Sequence, residues 1–387
     1  MPQPSNLELT IERLASGGEG VGRAPDGRVV FVPFSAPGDR LLVRPGETRR
    51  RYLRASVTET IAPGPDRVEP VCPVFGSCGG CSWQHLSYAA QLEAKRGILR
   101  DALTRIGKLA AVPEPIEMRG SPAAYRYRSR ARVVVEEGGV GFRRRRSRDL
   151  CPTAECPILV PSLEAAMAAL GRDPEAVRGE WELAAGDSGE VSLLGPRGGK
   201  LGEERIRIRV AGDALRVSAG VFSQANALLR ADLADAVHRA AGEGKLALEL
   251  FAGAGFLTLG LARRFRRVVA IESDPRAVRD LRDNLRTARI DSVEVRSARV
   301  EEALGSASLV HLRPDVVVLD PPRTGLPRGV DLALSAARVV YLSCDPATLA
   351  RDLASLEKRG FRLIQLTGFD LFPQTPHVEA LAVAERR

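Results

Sequence analysis

Residues 245–256 read KLALELFAGAGF. A short apolar run that breaks at Gly253 and Gly255 before further apolar residues is the pattern of a buried strand turning into a helix. Three runs of the same kind follow: RVVAIE (267–272), DVVVLD (315–320) and RVVYLSC (338–344). ARRF (262–265), PRAVRDLRDNLRTA (275–288) and PATLARDLASLEKRG (346–360) lie between or after them and read as helical. Strands alternating with helices from about residue 222 onward predict a mostly parallel, doubly wound sheet, an α/β architecture. Ligands of such sheets bind outside the carboxyl ends of the strands, so the residues there are the candidates for chemistry.

Gly253 and Gly255 let backbone approach a ligand closely. The third glycine of the dinucleotide pattern G-x-G-x-x-G would fall at Thr258, so that pattern is not met. Glu272 ends the second strand, where an acid can accept both ribose hydroxyls. A nucleoside cofactor without a pyrophosphate is therefore expected, and S-adenosyl-L-methionine is the natural candidate. Asp320 ends a strand in VVVLDPPR, where paired prolines give a rigid edge. Cys344 ends the next strand and precedes Asp-Pro and a helix start, whose dipole is expected to lower the thiol pKa and make it a nucleophile. In FPQTPHVEALAVAE, Glu379 stands at the entrance of the last apolar strand, where burial should raise its pKa and suit proton abstraction, with His377 as the neighbouring alternative. A thiolate, a carboxylate base and a methyl donor together suit carbon 5 of uracil. Thiolate addition at carbon 6 makes an enolate that takes a methyl group, and the base then removes the carbon 5 proton.

Working outward, the 387 residues are long enough for two or three domains, and 44% hydrophobic with 27% charged residues is ordinary for a globular chain. No run of eighteen apolar residues suggests a membrane span, and MPQPSNLELT lacks signal-peptide order, so a cytoplasmic protein is expected. The net charge is +9, and residues 121–150 hold nine arginines against three acids. Tyr125 and Tyr127 interleave with them, which predicts RNA as a partner, met by stacking and phosphate contacts on a basic hairpin turning at Gly138-Gly139. Residues 1–62 read as short strands with frequent glycine, a small all-β barrel. IAPGPDRVEP then leads to CPVFGSCGGC (72–81), with Cys72, Cys78 and Cys81 within ten positions. In a reducing compartment such clusters bind metal or do catalysis more often than they form disulfides, and zinc and an iron–sulfur cluster both remain open. Residues 83–108 carry helical spacing, with Leu92, Ile98, Leu99, Leu103 and Ile106 on one side.

The motifs FSQAN (222–226), ELFAGAGF (249–256), DPPR (320–323), SCDP (343–346) and HVE (377–379) resemble, in order and spacing, the RNA uracil-5-methyltransferase family over essentially the whole chain. The resemblance implies that Gln224, Phe251, Glu272 and Asp320 contact S-adenosyl-L-methionine, that Cys344 is the nucleophile and that Glu379 is the base. It is closest to the branch with a TRAM domain, an OB-like RNA-binding barrel, and a [4Fe–4S] cluster. Cys72, Cys78, Cys81 and Cys156 would then be the metal ligands and Cys151 a spare. Three domains are implied: a TRAM-like barrel (1–62), a central cluster-bearing α+β domain with the basic hairpin (63–205) and a Rossmann-like methyltransferase domain (206–387). The branch points to a uridine in 23S rRNA as substrate and to a monomer, with no DNA or membrane partner; uridine 54 of tRNA is the alternative. Glu249, Ala252, Phe256, Arg299 and Asp345 depart from the family pattern, which puts contacts to the adenine in question and leaves an RNA-binding protein that has lost catalysis as a rival reading. Amino-group methylation of a base, suggested by D-P-P-R alone, needs no cysteine and has Arg323 where it wants an aromatic.

Overall fold

The computed structural model describes residues 6–386 except 174, 307, 308, 310 and 328–335. Its first six strands are β1 (Leu7–Thr10), β2 (Arg13–Leu14), β3 (Gly20–Arg23), β4 (Val29–Val32), β5 (Arg40–Thr48) and β6 (Tyr52–Ala62), in the spatial order β1-β5-β6-β4-β3-β2. The two edge strands, β1 and β2, are separated in the chain by Ile11 and Glu12 alone, so the sheet must curl until its edges approach. Leu9, Ile11, Val30, Val32, Leu41 and Val43 fill the inside of that curl. The curled sheet is the small barrel expected from the sequence, and among the described residues its edge strands β1 and β2 are not joined in the ladder. The chain turns its corner at Ile11, whose N–H goes to the Asp39 carbonyl instead.

Next come helix α1 (Tyr88–Asp101), prolonged by a π-helical stretch at Ala102–Gly107, and strand β7 (Glu117–Arg119). Ser87 caps α1, accepting from the Ala90 N–H. A second sheet follows, from β8 (Arg130–Glu136), β9 (Gly139–Arg143), β10 (Leu150–Pro152), β11 (Gly179–Ala185), β12 (Val191–Leu194) and β13 (Lys200–Gly202), with helix α2 (Pro161–Arg172) against it. Glu136 faces Gly139 across the hairpin, so the turn is Glu137-Gly138, one residue earlier than the sequence suggested.

The hairpin β14 (Arg205–Val210) and β15 (Asp213–Ser218) leads into the last region. It contains α3 (Arg230–Ala241), β16 (Gly244–Leu250), α4 (Thr258–Ala262), β17 (Phe265–Glu272), α5 (Pro275–Thr287), β18 (Val293–Ser297), α6 (Val300–Leu304), β19 (Val316–Leu319), β20 (Arg338–Ser343), α7 (Pro346–Glu357), β21 (Phe361–Phe369) and β22 (Glu379–Arg386). ARRF is not the helix expected: only Ala262 is helical, and Phe265 already begins β17, its ring buried in the core. The eight-stranded sheet runs β18-β17-β16-β19-β20-β22-β21-β7, parallel from β18 to β20, with β22 antiparallel to both its neighbours. Side chains alternate across it. Leu248 and Leu250 join the layer of α1 and α7, while Ala247 joins that of α3 and α5. Segment 88–119, placed in the central region by sequence, thus covers the C-terminal sheet with α1 and extends it with β7.

Candidate active site

The chain leaves β16 toward β17 and β18 on one side, then crosses to β19 and β20 on the other. A crevice must open between the carboxyl ends of β16 and β19, where the strand order reverses. Phe251 follows β16 directly and holds φ +63°, a left-handed conformation rare for a large side chain. Gly253 has φ +56° and nothing within 4 Å of where a Cβ would sit, so the backbone there faces open space. Gly255 serves packing instead: a Cβ would lie 2.8 Å from Leu281 and 3.0 Å from Leu259.

Glu272 is turned toward this loop. Its Oε2 accepts the Gly253 N–H at 2.8 Å, and its Oε1 accepts those of Ser273 and Asp274 at 2.7 Å each. The carboxylate therefore ties the end of β17 to the glycine loop, a role sequence reading did not see beside the ribose contact. A cleft of about 250 Å³ lies on one side of Phe251, between Glu272, Ser273, Arg299, Pro322 and Gly325. A smaller one of about 40 Å³ lies on the other, lined by Phe222, Gln224, Gly253, Phe256 and Asp320. The Gln224 amide donates to Asp320 Oδ2 at 3.2 Å. Burial raises the Asp320 pKa, and the Gln224 bond opposes it only in part. Beneath them Glu249 is wholly enclosed, and burial pushes it up to about 8.

The candidate reaction pair lies one strand further. Ser343 faces Ala380 in the β20–β22 ladder, so the next antiparallel pair along is Cys344 opposite Glu379. Directly opposed residues have Cβ atoms roughly 5 Å apart. Burial lifts Glu379 well above the usual carboxylate range, as the sequence predicted for a strand entrance, and the Asp320 charge adds to the effect. The expectation for Cys344 is overturned: its thiol is pushed up to about 12, first by burial, then by the Glu379 and Asp320 carboxylates. The helix end that was to lower it is occupied by Asp345, whose Oδ1 accepts the Thr348 N–H at 2.8 Å. The Arg323 charge opposes the rise at both Cys344 and Glu379. Sequence reading gave Arg323 no role, because only the fold brings DPPR beside SCDP. His377 is exposed and meets Phe372 edge-on at 6.1 Å.

Cys72, Cys78, Cys81 and Cys156 line one cavity of about 400 Å³, rimmed by Arg128, Arg132, Arg143, Arg144 and Arg146. Burial raises Cys81 to about 12 and Cys156 to about 11. Among the described residues no three His, Cys, Asp or Glu side chains converge as ligands of a single metal ion would. Cys151 is buried in β10 with its thiol against that of Cys78, but it does not line the cavity.

The basic hairpin is partly committed to internal contacts. Arg145 stacks over the Phe34 ring at 4.7 Å, and Arg146 donates to Glu19 Oε1 at 2.8 Å, the carboxylate that also takes Arg54. These bonds join the first sheet to the second. Arg144 and Arg148 are exposed, with no side-chain partner among the described residues. Tyr127, expected to stack on bases, is fully buried and donates its hydroxyl to the Pro373 carbonyl at 2.9 Å.

A family model described as tRNA (Uracil-5-)-methyltransferase matches residues 203–387, and a TRAM domain model matches residues 5–58. A 23S rRNA (uracil(1939)-C(5))-methyltransferase of Aeromonas salmonicida is 32% identical over 429 residues, covering 99% of this chain and 97% of the relative. The chain belongs to the RNA (uracil-5-)-methyltransferase family. An uncharacterized RNA methyltransferase of Aquifex aeolicus is similarly close, 32% identical and covering 98% of each chain. Among solved structures, the Pyrococcus abyssi tRNA (uracil-54, C5)-methyltransferase in complex with S-adenosyl-L-homocysteine superposes with a TM-score of 0.77 at 24% identity, over 98% of this chain and 100% of that one. That likeness shows that the fold extends over the whole chain. RNA (uracil-5-)-methyltransferases are enzymes of the S-adenosylmethionine-dependent class, and RNA is the class of substrate. No helix among the described residues is long and apolar enough to cross a membrane.

Proposed function

We propose that the chain methylates carbon 5 of one uridine in 23S rRNA. The observation that carries the chemistry is the β20–β22 register, whose last pair, Ser343 with Ala380, brings Cys344 beside Glu379, one strand from Asp320. Cys344 first gives up its thiol proton to solvent; its thiolate then adds to carbon 6 of the uracil, and the electron pair of the C5–C6 double bond moves to carbon 5 and O4. Carbon 5 takes the methyl group that S-adenosylmethionine supplies. The Glu379 carboxylate then removes the carbon 5 proton, the double bond re-forms and the thiolate leaves. Arg323 stabilises the anionic sulfur on both sides of this sequence. For the donor, open space at Gly253 and the two clefts about Phe251 support binding by Gln224, Phe251, Gly253, Glu272 and Asp320, with Arg299 on the wider side, while Gly255 lets the loop pack closely against Leu281 and Leu259.

The four thiols around one cavity support a [4Fe–4S] cluster held by Cys72, Cys78, Cys81 and Cys156. Such a cluster takes one thiolate at each of its irons, so its ligands surround a volume. Zinc, which takes four sulfurs at about 2.3 Å from a single point, is the alternative occupant of the same thiols. The cluster's positive irons would supply the charge that turns the buried thiols into thiolates.

Relatives over the whole chain favour ribosomal RNA over tRNA. The deciding experiment maps 5-methyluridine in cells lacking this protein. Loss at one 23S position, restored by the intact gene and not by Cys344→Ala, is expected. Loss confined to tRNA would replace the substrate, and no loss anywhere would overturn the activity.

A further inference from the structure

The loop Asp370–Val378 carries the chain from β21 into Glu379, and it is gripped from three directions. Ser82 and Trp83, immediately after Cys81, both donate backbone N–H groups to the Gln374 carbonyl at 3.0 Å. Helix α1 supplies Gln91, whose amide exchanges two bonds with Gln374: Gln91 Nε2 to Gln374 Oε1 at 3.0 Å, and the Gln374 N–H to Gln91 Oε1 at 2.8 Å. Lys95, one turn on, is buried against Asp370 and donates to the Phe372 carbonyl at 3.0 Å. Tyr127, in the segment that leads into the second sheet, reaches the Pro373 carbonyl. Gln374 is 3% exposed and holds φ +70°, a conformation costly for a side-chain-bearing residue and kept where its surroundings over-determine it. None of these residues lines either cleft beside Phe251, yet their bonds fall on positions 370 to 374, and those of Ser82, Trp83 and Gln91 meet at Gln374, five residues before the carboxylate.

We propose that Gln374 is a positioning residue: its bonds to Ser82, Trp83 and Gln91 set the Glu379 carboxylate over the substrate, so the segment following the clustered cysteines controls the last step of methylation. The inference rests on the uracil chemistry given above. Elimination needs the base within hydrogen-bond reach of the carbon 5 proton, and a displacement of about 1 Å costs on the order of 10²-fold in rate. Thiol attack and methyl transfer depend on β20 and the glycine loop, whereas the hydrogen bonds of Gln374 go to Ser82, Trp83, Gln91 and Ala124.

The test uses Gln374→Gly, which tolerates the positive φ and keeps the backbone N–H and carbonyl but removes the side-chain bond from Gln91 Nε2, and Gln91→Ala, which removes that bond together with the one its Oε1 accepts from the Gln374 N–H and those its amide gives to the Trp83 and Leu86 carbonyls. Each variant is incubated with substrate RNA and methyl-labelled S-adenosylmethionine, with Glu379→Gln as control. Turnover should fall roughly 10²-fold with KM for donor and RNA nearly unchanged. A denaturant-stable protein–RNA adduct carrying the labelled methyl should accumulate, and it should vanish when Cys344→Ala is added. Amide hydrogen exchange across residues 371–378 should quicken in both variants and in Cys81→Ser, while that of β16 and β19 stays as in the parent. Parental turnover without adduct, or donor binding lost together with turnover, overturns the positioning role. Absence of adduct in Glu379→Gln overturns the uracil chemistry itself, and this inference falls with it; adduct there but not in the Gln374 and Gln91 variants overturns this inference alone.

Discussion

Asp320, Glu379 and Cys344 form an acidic corner in which burial favours the protonated form of each group. The free protein is thus ready for a cation there, and a sulfonium would offset the cost of ionising the carboxyls. The sign follows: carboxyl groups with raised pKa values hold protons near neutrality, a nearby positive charge lowers those values, and protons leave. Binding of S-adenosylmethionine at pH 7 should release up to about one proton, whereas S-adenosylhomocysteine, with a neutral sulfur, should release fewer. Calorimetric titration in two buffers of different ionisation enthalpy reads the difference, and equal release for both ligands would sink the assignment. The sequence made Cys344 and Glu379 identifiable because each stands at a strand end beside turn residues. It misjudged the thiol because burial raises it first, and then the carboxylates of residues 379 and 320, all of which the fold supplies and a helix-dipole rule does not see. Gln374 was invisible for the same reason: its partners lie at positions 82, 83 and 91.

Among elements, the buried parallel strands β16, β17, β19 and β20 were readable as continuous apolar runs, since both faces of each are covered. Edge strand β18, VEVRS, is only half-buried and carries charges, so its composition gives no such signal. Strand β7 has three residues and exists only because β21 offers it an edge. The basic hairpin was legible as charge but not as contacts: some of its arginines hold sheets together and others face solvent. That division yields a prediction. Arg144→Glu with Arg148→Glu should weaken RNA binding and flatten the dependence of log K on log salt by about two units, one for each phosphate no longer neutralised. Arg145→Glu should act mainly on stability, because its guanidinium is stacked on Phe34 and lies near Glu19. Binding isotherms over a salt series, with melting curves beside them, separate the two; an unchanged slope in the double variant makes the hairpin a solvated face.

At the scale of the molecule, the cysteine cavity is built from segments more than seventy residues apart, 72–81 and 156, so thiols with raised pKa values meet only in the folded chain. Protein purified without oxygen should carry about four irons per chain with acid-labile sulfide. Cys156→Ser should lose them, and Cys151→Ser should retain them. Stoichiometric zinc without iron would refute the cluster. Strand β7 has a consequence of another kind. Its Glu117 side chain meets Thr367, 250 positions later. At roughly 5–20 residues per second, a ribosome needs on the order of 10–50 s to make the partner strand after β7 emerges. Throughout that interval α1 and β7 have apolar surface and an open edge with nothing to cover them. Synthesis of this enzyme therefore includes a waiting period in which a holding chaperone has a defined client, the nascent segment 88–119, and codons that slow translation beyond residue 119 would lengthen the exposure and lower the soluble yield.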